Sequence, residues 1–367
     1  MRVPFSYLDR QFPDVDEYLK DIRTLVLSGD FTLGKPLAEF ERRFAGKVFM
    51  PHAIGVGTGT DALIMPMKLC GVGPGDEVIT TTMTFYATVG AIVATGAAPV
   101  LVDSEDGFMI DPAKIEEAIT PKSKAILTVT FSGNIPDMDE VARIANRHNL
   151  MIFEDSCQSI GGELNGKPMG SWGRAAGYSL HPLKNLNVWG DGGVVVTREE
   201  ELARKLRLYR NHGLVNRDEI EMFGINCRLD TIQAVVGNRL LSQLEFTTKR
   251  RIEIAKAYDA AWADIADCIA PPSRGPGVRH VFHLYMVRAE KRDDLLGYLI
   301  SKGIEAKIHY PKPIHLQPAA AYLGYREGTF PKAESDCKKI ITLPAHQHLT
   351  EKEIQYTIET VRHFYGK

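Results

Sequence analysis

Short apolar runs rich in β-branched residues recur along the first two-thirds of the chain, at Val78–Thr82, Pro99–Asp103, Ala125–Thr130, Leu150–Asp155, Ala176–Leu180 and Gly193–Thr197. Most are separated by segments of helical spacing: Asp61–Cys70, Tyr86–Thr95, Asp111–Ile119 and Asp137–His148. A strand that is apolar throughout is buried on both faces, and its alternation with helices is the rhythm of βαβ crossovers. The pattern therefore predicts an α/β fold with a mostly parallel sheet covered on both sides. Asp111 and Pro112 stand where an N-cap and a first helical residue belong. From Leu229 the apolar positions Leu229, Ile232, Val236, Leu240 and Leu244 step by three or four and resume at Ile254, Tyr258 and Trp262, which predicts one or two long helices leaving the sheet. After breaks at Pro271-Pro272 and Gly275-Pro276-Gly277 the rhythm changes to a strand at Val281–Arg288, a helix at Asp293–Lys302, a strand at Ile304–Tyr310 and a last helix. Thr350-x-x-Glu353 opens that helix as a capping box, with Ile354, Ile358, Val361 and Tyr365 on one face. Two domains are expected: residues 1–245 with the N-terminal segment and the large sheet, and residues 246–367 as a smaller α+β domain.

Composition narrows the classes. The 367 residues carry 44 Lys+Arg against 46 Asp+Glu, a formal charge of −2, so no nucleic-acid footprint is written into the whole chain. Five scattered cysteines with no C-x-x-C spacing argue against a disulfide framework or a Cys-based zinc module and favour a reducing, cytoplasmic setting. No stretch approaches the ~20 apolar residues of a membrane span, and the N-terminus lacks the apolar centre of an export signal.

Three motifs carry chemistry. In Gly55-x-Gly57-x-Gly59-Thr60-Asp61 a glycine-rich turn runs into a helix, where close backbone approach and free N–H groups suit a phosphate dianion. The same residues match a dinucleotide fingerprint, Gly57-x-Gly59-x-x-Ala62, or simply a helix capped at Thr60. No acidic residue closes the next strand as a dinucleotide site requires. Second, Asp155 stands at the C-terminal tip of a buried strand, the sheet edge at which α/β proteins place ligands. A carboxylate there can keep a heteroaromatic nitrogen protonated or can cap a helix. Third, Ser179, His181 and Lys184 follow the next strand, with Lys184 set among Leu180, Pro182, Leu183 and Leu186. An ammonium in apolar surroundings loses its proton readily and becomes a nucleophile, although a lone loop lysine is more often solvated. Phosphate cradle, strand-end aspartate and lysine are together the handles that pyridoxal 5'-phosphate (PLP) requires.

The order of Phe31-x-x-Gly34, Gly59-Thr60-Asp61-Ala62-Leu63, Thr84-Phe85-x-Ala87-Thr88, Glu154-Asp155-x-x-Gln158, Ser179-x-x-Pro182-x-Lys184-Asn185-Leu186, Gly190-x-x-Gly193, Asn226-x-Arg228 and His309-Tyr310 to His315 resembles the DegT/StrS-type sugar aminotransferases over nearly the whole chain. The resemblance implies an aspartate-aminotransferase-like (type I PLP) fold, a homodimer sharing its active sites, and transfer of an amino group from L-glutamate to a keto-sugar for surface polysaccharide. By position, Lys184 would bind the PLP aldehyde, Asp155 the ring nitrogen, Gln158 the ring hydroxyl and Phe85 the ring face. Gly59, Thr60, Asp61 and Ser179 would hold the phosphate, and Asn226 would reach it from the neighbouring subunit. His181, Trp189, His309, Tyr310 and His315 are the substrate candidates.

Departures from the family pattern gather near the substrate mouth. Asn187 replaces a usual glycine, which suggests a left-handed turn that presents Trp189 to the substrate; Phe131-Ser-Gly-Asn134 and His181 also differ. The acceptor expected is a nucleotide-linked 3- or 4-ketohexose, or the 8-keto form of the octulosonic acid Kdo, since the run from Ser179 to Trp189 is similar to the branch that aminates Kdo. A basic group of Arg279, His280, His283, Lys307, His309, Lys312 and His315 suits an anionic substrate or a solvated face. Alternatives are a PLP-dependent sugar dehydratase, which would have histidine at position 184, and a non-catalytic regulator, which would lose Lys184 or Asp155. A metal hydrolase built on His280, His283, His346 and His348 lacks a carboxylate at ligand spacing, so no metal is expected.

Overall fold

A computed structural model describes residues 1–367. The main sheet contains β1 (His52–Val56), β2 (Glu77–Thr81), β3 (Ala98–Val102), β4 (Ser123–Val129), β5 (Met151–Asp155), β6 (Ala175–Ser179) and β7 (Gly193–Thr197), in the order β1-β7-β6-β5-β4-β2-β3. Only β7 runs against the others, pairing antiparallel with β1 and β6. An antiparallel neighbour needs no crossover helix, so residues 180–192 connect β6 to β7 as an irregular turn, and that turn carries Lys184. All six expected strands form, with ends displaced by at most two residues. Strand β1 was not anticipated: it is short, and its Gly55 breaks the apolar pattern because Leu37 and Leu229 pack so close that a Cβ there would lie 2.9 and 3.0 Å from their carbons.

Helices α1 (Val15–Ser28), α2 (Lys35–Lys47), α3 (Gly59–Leu69), α4 (Tyr86–Thr95), α5 (Pro112–Glu117), α6 (Met138–His148) and α7 (Glu200–Tyr209) accompany the sheet. Asp111 caps α5 as expected, accepting from the Ala113 N–H at 2.9 Å. The pattern from Leu229 resolves into two helices, α8 (Thr231–Leu241) and α9 (Leu244–Ala261). Leu244 packs in the core of the main sheet, whereas Ile254, Ala255 and Tyr258 belong to a second core.

That second core lies against an antiparallel sheet of β8 (Ile269–Ala270), β9 (Tyr285–Ala289) and β10 (Ile340–Leu343), with α10 (Arg292–Ser301) and α12 (Glu351–Phe364), whereas α11 (Pro331–Lys339) packs Ala333 and Cys337 in a separate cluster with Met83 and Leu101. Two expectations fail here. The strand placed at Val281–Arg288 begins only at Tyr285, because Val281 and Leu284 instead donate to Gly133 and Ser132 of the large sheet's loop. Residues 304–310 form no strand, since their backbone is divided between single bridges from Ile304 to Val3 and from Lys307 to Thr342. Val3 thereby joins the C-terminal core. The capping box of α12 is complete: Thr350 Oγ1 accepts from the Glu353 N–H at 3.2 Å, and Glu353 Oε2 accepts from the Thr350 N–H at 2.9 Å. No helix is long and apolar enough to cross a membrane.

Candidate active site

The C-terminal ends of β4, β5 and β6, the start of α3 and the turn after β6 surround a cavity of about 470 Å³. Gly59, Thr60, Phe85, Asp155, Gln158, Ser179 and Lys184 all stand on its wall, as do His181, His309 and Tyr310. Residues more than a hundred positions apart meet because parallel strands deliver every C-terminal end to one edge.

Asp155 is buried, and its carboxylate is oriented on both oxygens: Oδ2 accepts from Thr88 Oγ1 at 2.7 Å and Oδ1 from the Cys157 N–H at 3.2 Å. Thr84 Oγ1, 2.7 Å from Thr88 Oγ1, continues the chain. The aspartate caps no helix, for β5 is followed by turns. Gln158 Oε1 accepts from the Ser132 N–H at 2.7 Å, which leaves its Nε2 as the donor for a ligand. Ser132 takes a φ of +60° in making that contact.

The phosphate corner differs in detail from the expectation. The cap of α3 is Thr58, not Thr60: Thr58 Oγ1 accepts from the Asp61 N–H at 3.0 Å and donates to Asp61 Oδ2 at 2.7 Å. Asp61 is thus engaged by its own helix start and lies off the cavity wall, as an acid beside a dianion should. Gly59 sits so close to Ser179 that an added Cβ would stand 2.6 Å from Ser179 Cβ, so glycine keeps this corner open.

Lys184 is partly buried on the cavity wall, and burial pushes its ammonium pKa below the ordinary value against the opposing pull of Cys157 and Asp155. Histidines line the same space. Burial, with Lys307 and Lys184 adding, pushes His309 down to about 4; burial and Arg251 push His346 to about 3. His283, whose Nδ1 has no partner, is held well below its ordinary value by burial and then Lys184. Unfolded imidazoles take up protons near 6.5 and these folded ones do not, so the unfolded state binds more protons and stability rises with pH. The melting temperature is therefore expected to fall as pH drops from about 6.5 to about 5, above the range where most carboxylates titrate. A flat profile over that interval, measured at constant ionic strength, would contradict neutral buried histidines.

Four expected site residues are absent from the wall. Trp189 packs on the N-terminal helices, stacked on Tyr18 at 5.5 Å and edge-on to Phe12 at 5.5 Å, while its carbonyl accepts from Gln233. His315 is fully buried in a structural bridge, with Nδ1 2.9 Å from Thr82 Oγ1 and Nε2 2.9 Å from Glu334 Oε1. Asp61 holds its cap, and Asn226 is exposed away from the cavity of its own chain. Asn187 is not left-handed but buried and hydrogen-bonded. The basic group also disperses: Arg279 pairs with Glu245 and Glu163, His280 stacks on Phe282 at 3.9 Å, and only His283 and His309 reach the cavity. No group of three His, Cys, Asp or Glu is arranged to hold a metal.

Other wall residues were not anticipated. Arg251 is buried with Nη1 donating to the carbonyls of Phe282 and His283 at 3.0 and 3.1 Å and Nε to Gln347 at 3.1 Å, while Nη2 has no partner. In sequence it ends the charged run Lys249-Arg250-Arg251, which reads as a solvated face. Phe5 and Tyr7 come from a segment whose sequence shows no periodicity.

This donor set fits PLP: an oriented carboxylate, a free amide donor, an amine with lowered pKa, and a glycine corner that a side chain would fill. The sequence matches the DegT/DnrJ/EryC1/StrS aminotransferase family across residues 14–362. A pleiotropic regulatory protein of Geobacillus stearothermophilus is 41% identical over 368 residues, covering 100% of this chain and 99% of that protein. The dTDP-3-amino-3,4,6-trideoxy-alpha-D-glucose transaminase of Streptomyces venezuelae is 39% identical over 363 residues, covering 98% and 96%. The crystal structure of DesV from S. venezuelae with a ketimine intermediate superposes with a TM-score of 0.96 at 39% identity, covering 100% of this chain and 99% of that one. Fold and site are together those of a PLP-dependent transaminase of the type I fold. The chain belongs to the DegT/DnrJ/EryC1/StrS aminotransferase family.

Proposed function

We propose that the protein aminates a nucleotide-linked keto-hexose, with L-glutamate as the amino donor, as a homodimer in the cytoplasm. The observation that carries this reading is the convergence of Lys184, Asp155, Gln158 and the Gly59–Ser179 corner on one wall, which a regulator without catalysis would not need and a dehydratase with histidine at 184 would not have. Exposed Phe223 and Ile225 beside Asn226 suit burial against a second copy, which would carry Asn226 toward the neighbouring cavity. Five free cysteines suit a reducing compartment. Two transaminases that act on dTDP- or UDP-linked sugars, by their names, are 39% and 36% identical to this chain and support the nucleotide-linked acceptor.

The residues divide the work. Asp155, fixed by Thr88, would hold the ring nitrogen in its protonated form; Gln158 Nε2 would donate to the ring oxygen, and Phe85 would cover one ring face. Gly59, Thr60 and Ser179 would hold the phosphate at the start of α3, where the helix dipole adds attraction. Bound there, PLP supplies an aldehyde for amine exchange and a protonated ring that accepts the electron pair of a breaking C–H bond. Lys184, with its lowered pKa, holds or moves the proton at the reacting carbon. His181 and Tyr310 line the same cavity and would meet the acceptor sugar there.

Conversion of the enzyme to its aminated-cofactor form with glutamate, followed by a panel of keto-sugars, tests the proposal. Return of the yellow absorbance with a dTDP- or UDP-linked ketohexose supports it, whereas return with 8-keto-Kdo alone overturns the nucleotide-linked acceptor.

A further inference from the structure

Lys184 lies in a turn without helix or strand, yet its backbone is fixed on both sides. Its N–H donates to His181 O at 2.8 Å. Its carbonyl accepts from Tyr7 Oη at 2.8 Å and from Asn187 Nδ2 at 3.1 Å, so two donors share one oxygen. The two donors are themselves joined, since Asn187 Nδ2 lies 3.2 Å from Tyr7 Oη. Gln11 then closes on the Asn187 amide from both ends, Nε2 to Oδ1 at 3.2 Å and Nδ2 to Oε1 at 3.2 Å. Tyr7, Gln11 and Asn187 are all buried and all uncharged, so the network carries no ionic desolvation penalty and its loss leaves polar groups without partners.

The segment that delivers Tyr7 is held by the C-terminal core. Val3 donates to Gly303 O at 2.9 Å and accepts from the Glu305 N–H at 3.0 Å; Pro4 O lies 3.1 Å from His346 Nε2, and the Phe5 N–H donates to Glu305 Oε2 at 3.0 Å. The Arg251 guanidinium lies over the Tyr7 ring at 5.3 Å. Tyr7 and Gln11 both precede residues 14–362, the part of the chain that matches the family.

We propose that Tyr7, Asn187 and Gln11 are positioning residues: a clamp on the Lys184 carbonyl that fixes the point from which its amine swings, and that ties the lysine turn to the C-terminal core. Four rotatable bonds separate Nζ from the backbone, so a displaced Cα displaces the whole arc the amine can sweep. Orientation of a nucleophile is worth large factors in rate. The inference rests on the reading of Lys184 as the cofactor-binding lysine.

The test compares Tyr7→Phe, Asn187→Ala, the double variant and Gln11→Ala with the unaltered full chain. Each is stripped of cofactor and mixed with PLP in stopped flow, and the rise of the yellow absorbance is followed against pH, with melting temperatures and the kcat and KM for glutamate alongside. The expected result is a roughly tenfold slower rise in each of the Tyr7 and Asn187 single variants, the scale of one lost buried hydrogen bond, with kcat lowered and KM unchanged. The double variant should be slowed by much less than the product of the singles, because both bonds end on one oxygen. Gln11→Ala, one step removed, should be slowed in the same direction but less. Variants that melt lower yet bind PLP at the unaltered rate with the same pH profile would reduce the network to a structural role and overturn the proposal. Should Tyr7→Phe not fold, Asn187→Ala and Gln11→Ala decide by the same criterion. If borohydride leaves no pyridoxyl group on Lys184 of the unaltered protein, the underlying reading falls and the clamp falls with it; an adduct there with unchanged rates in the variants removes the clamp alone.

Discussion

Lys184→Ala is expected to lower kcat by roughly four orders of magnitude or more, because in the proposed role of Lys184 it removes both the nucleophile that would hold the cofactor and the base that would move the proton, each worth factors of 10²–10⁴ or above. The fold should survive. The side chain lies on a cavity wall, partly buried, and its ammonium is disfavoured by its surroundings, so truncation relieves a desolvation cost while removing little packing. The turn keeps its backbone bonds to His181, Tyr7 and Asn187, none of which uses the lysine side chain. Two measurements check this. Borohydride reduction and peptide mapping should find the pyridoxyl group on Lys184 in the unaltered chain and on no lysine of the variant. A small primary amine in the assay should restore part of the proton-transfer rate, since the cavity has room where the side chain stood. Lys184→Arg keeps the charge but not a titratable amine and should be as inactive as alanine. A variant retaining a tenth of the original turnover would remove Lys184 from the chemistry.

Most of the parallel strands were legible because they are apolar runs alternating with helical segments, and much of the cavity wall was legible because its residues sit at strand ends, where the chain reverses and motifs are compact. Three kinds of feature escaped. Strand β1 hides behind Gly55, whose missing side chain serves the packing of Leu37 and Leu229 rather than any periodicity. The segment 304–310 looks like a strand by composition, but it touches the edge of β10 only through the Lys307–Thr342 bridge, and its start is taken instead by Val3 from the other end of the chain. Side-chain direction was the hardest to read. Trp189 and His315 carry the chemistry of substrate contacts and lie near the right motifs, yet one turns toward Tyr18 and the other toward Thr82 and Glu334. Conversely Arg251, in a charged run on a helix, faces inward because the carbonyls of Phe282 and His283 await it there. Asn187 has the residue type of a left-handed turn, yet its backbone is ordinary and its side chain is spent on the Lys184 carbonyl.

Asp155→Asn should cost about 10³-fold in kcat, equivalent to about 4 kcal/mol of transition-state stabilisation, with a small fall in melting temperature from the Cys157 N–H that loses its acceptor. The carboxamide fits the volume of the carboxylate, and its oxygen can still accept the Thr88 hydroxyl that now lies 2.7 Å from Oδ2, while its nitrogen turns a donor toward the Cys157 N–H, which in the unaltered chain donates to Oδ1 at 3.2 Å. What is lost is the negative charge, and a neutral amide cannot keep an aromatic nitrogen protonated near neutral pH. The sign of the pH dependence follows: protons from solution replace part of the missing effect, so the residual activity of Asp155→Asn, relative to the unaltered enzyme, should climb as pH falls. Thr88→Val separates charge from orientation. It leaves the carboxylate charged but unfastened on one oxygen, and roughly a tenfold loss is expected, without the relative gain at low pH. An Asp155→Asn enzyme whose pH profile runs parallel to the original would mean that the carboxylate acts through packing or through the Cys157 backbone, 3.2 Å from its Oδ1, rather than through charge on the ring.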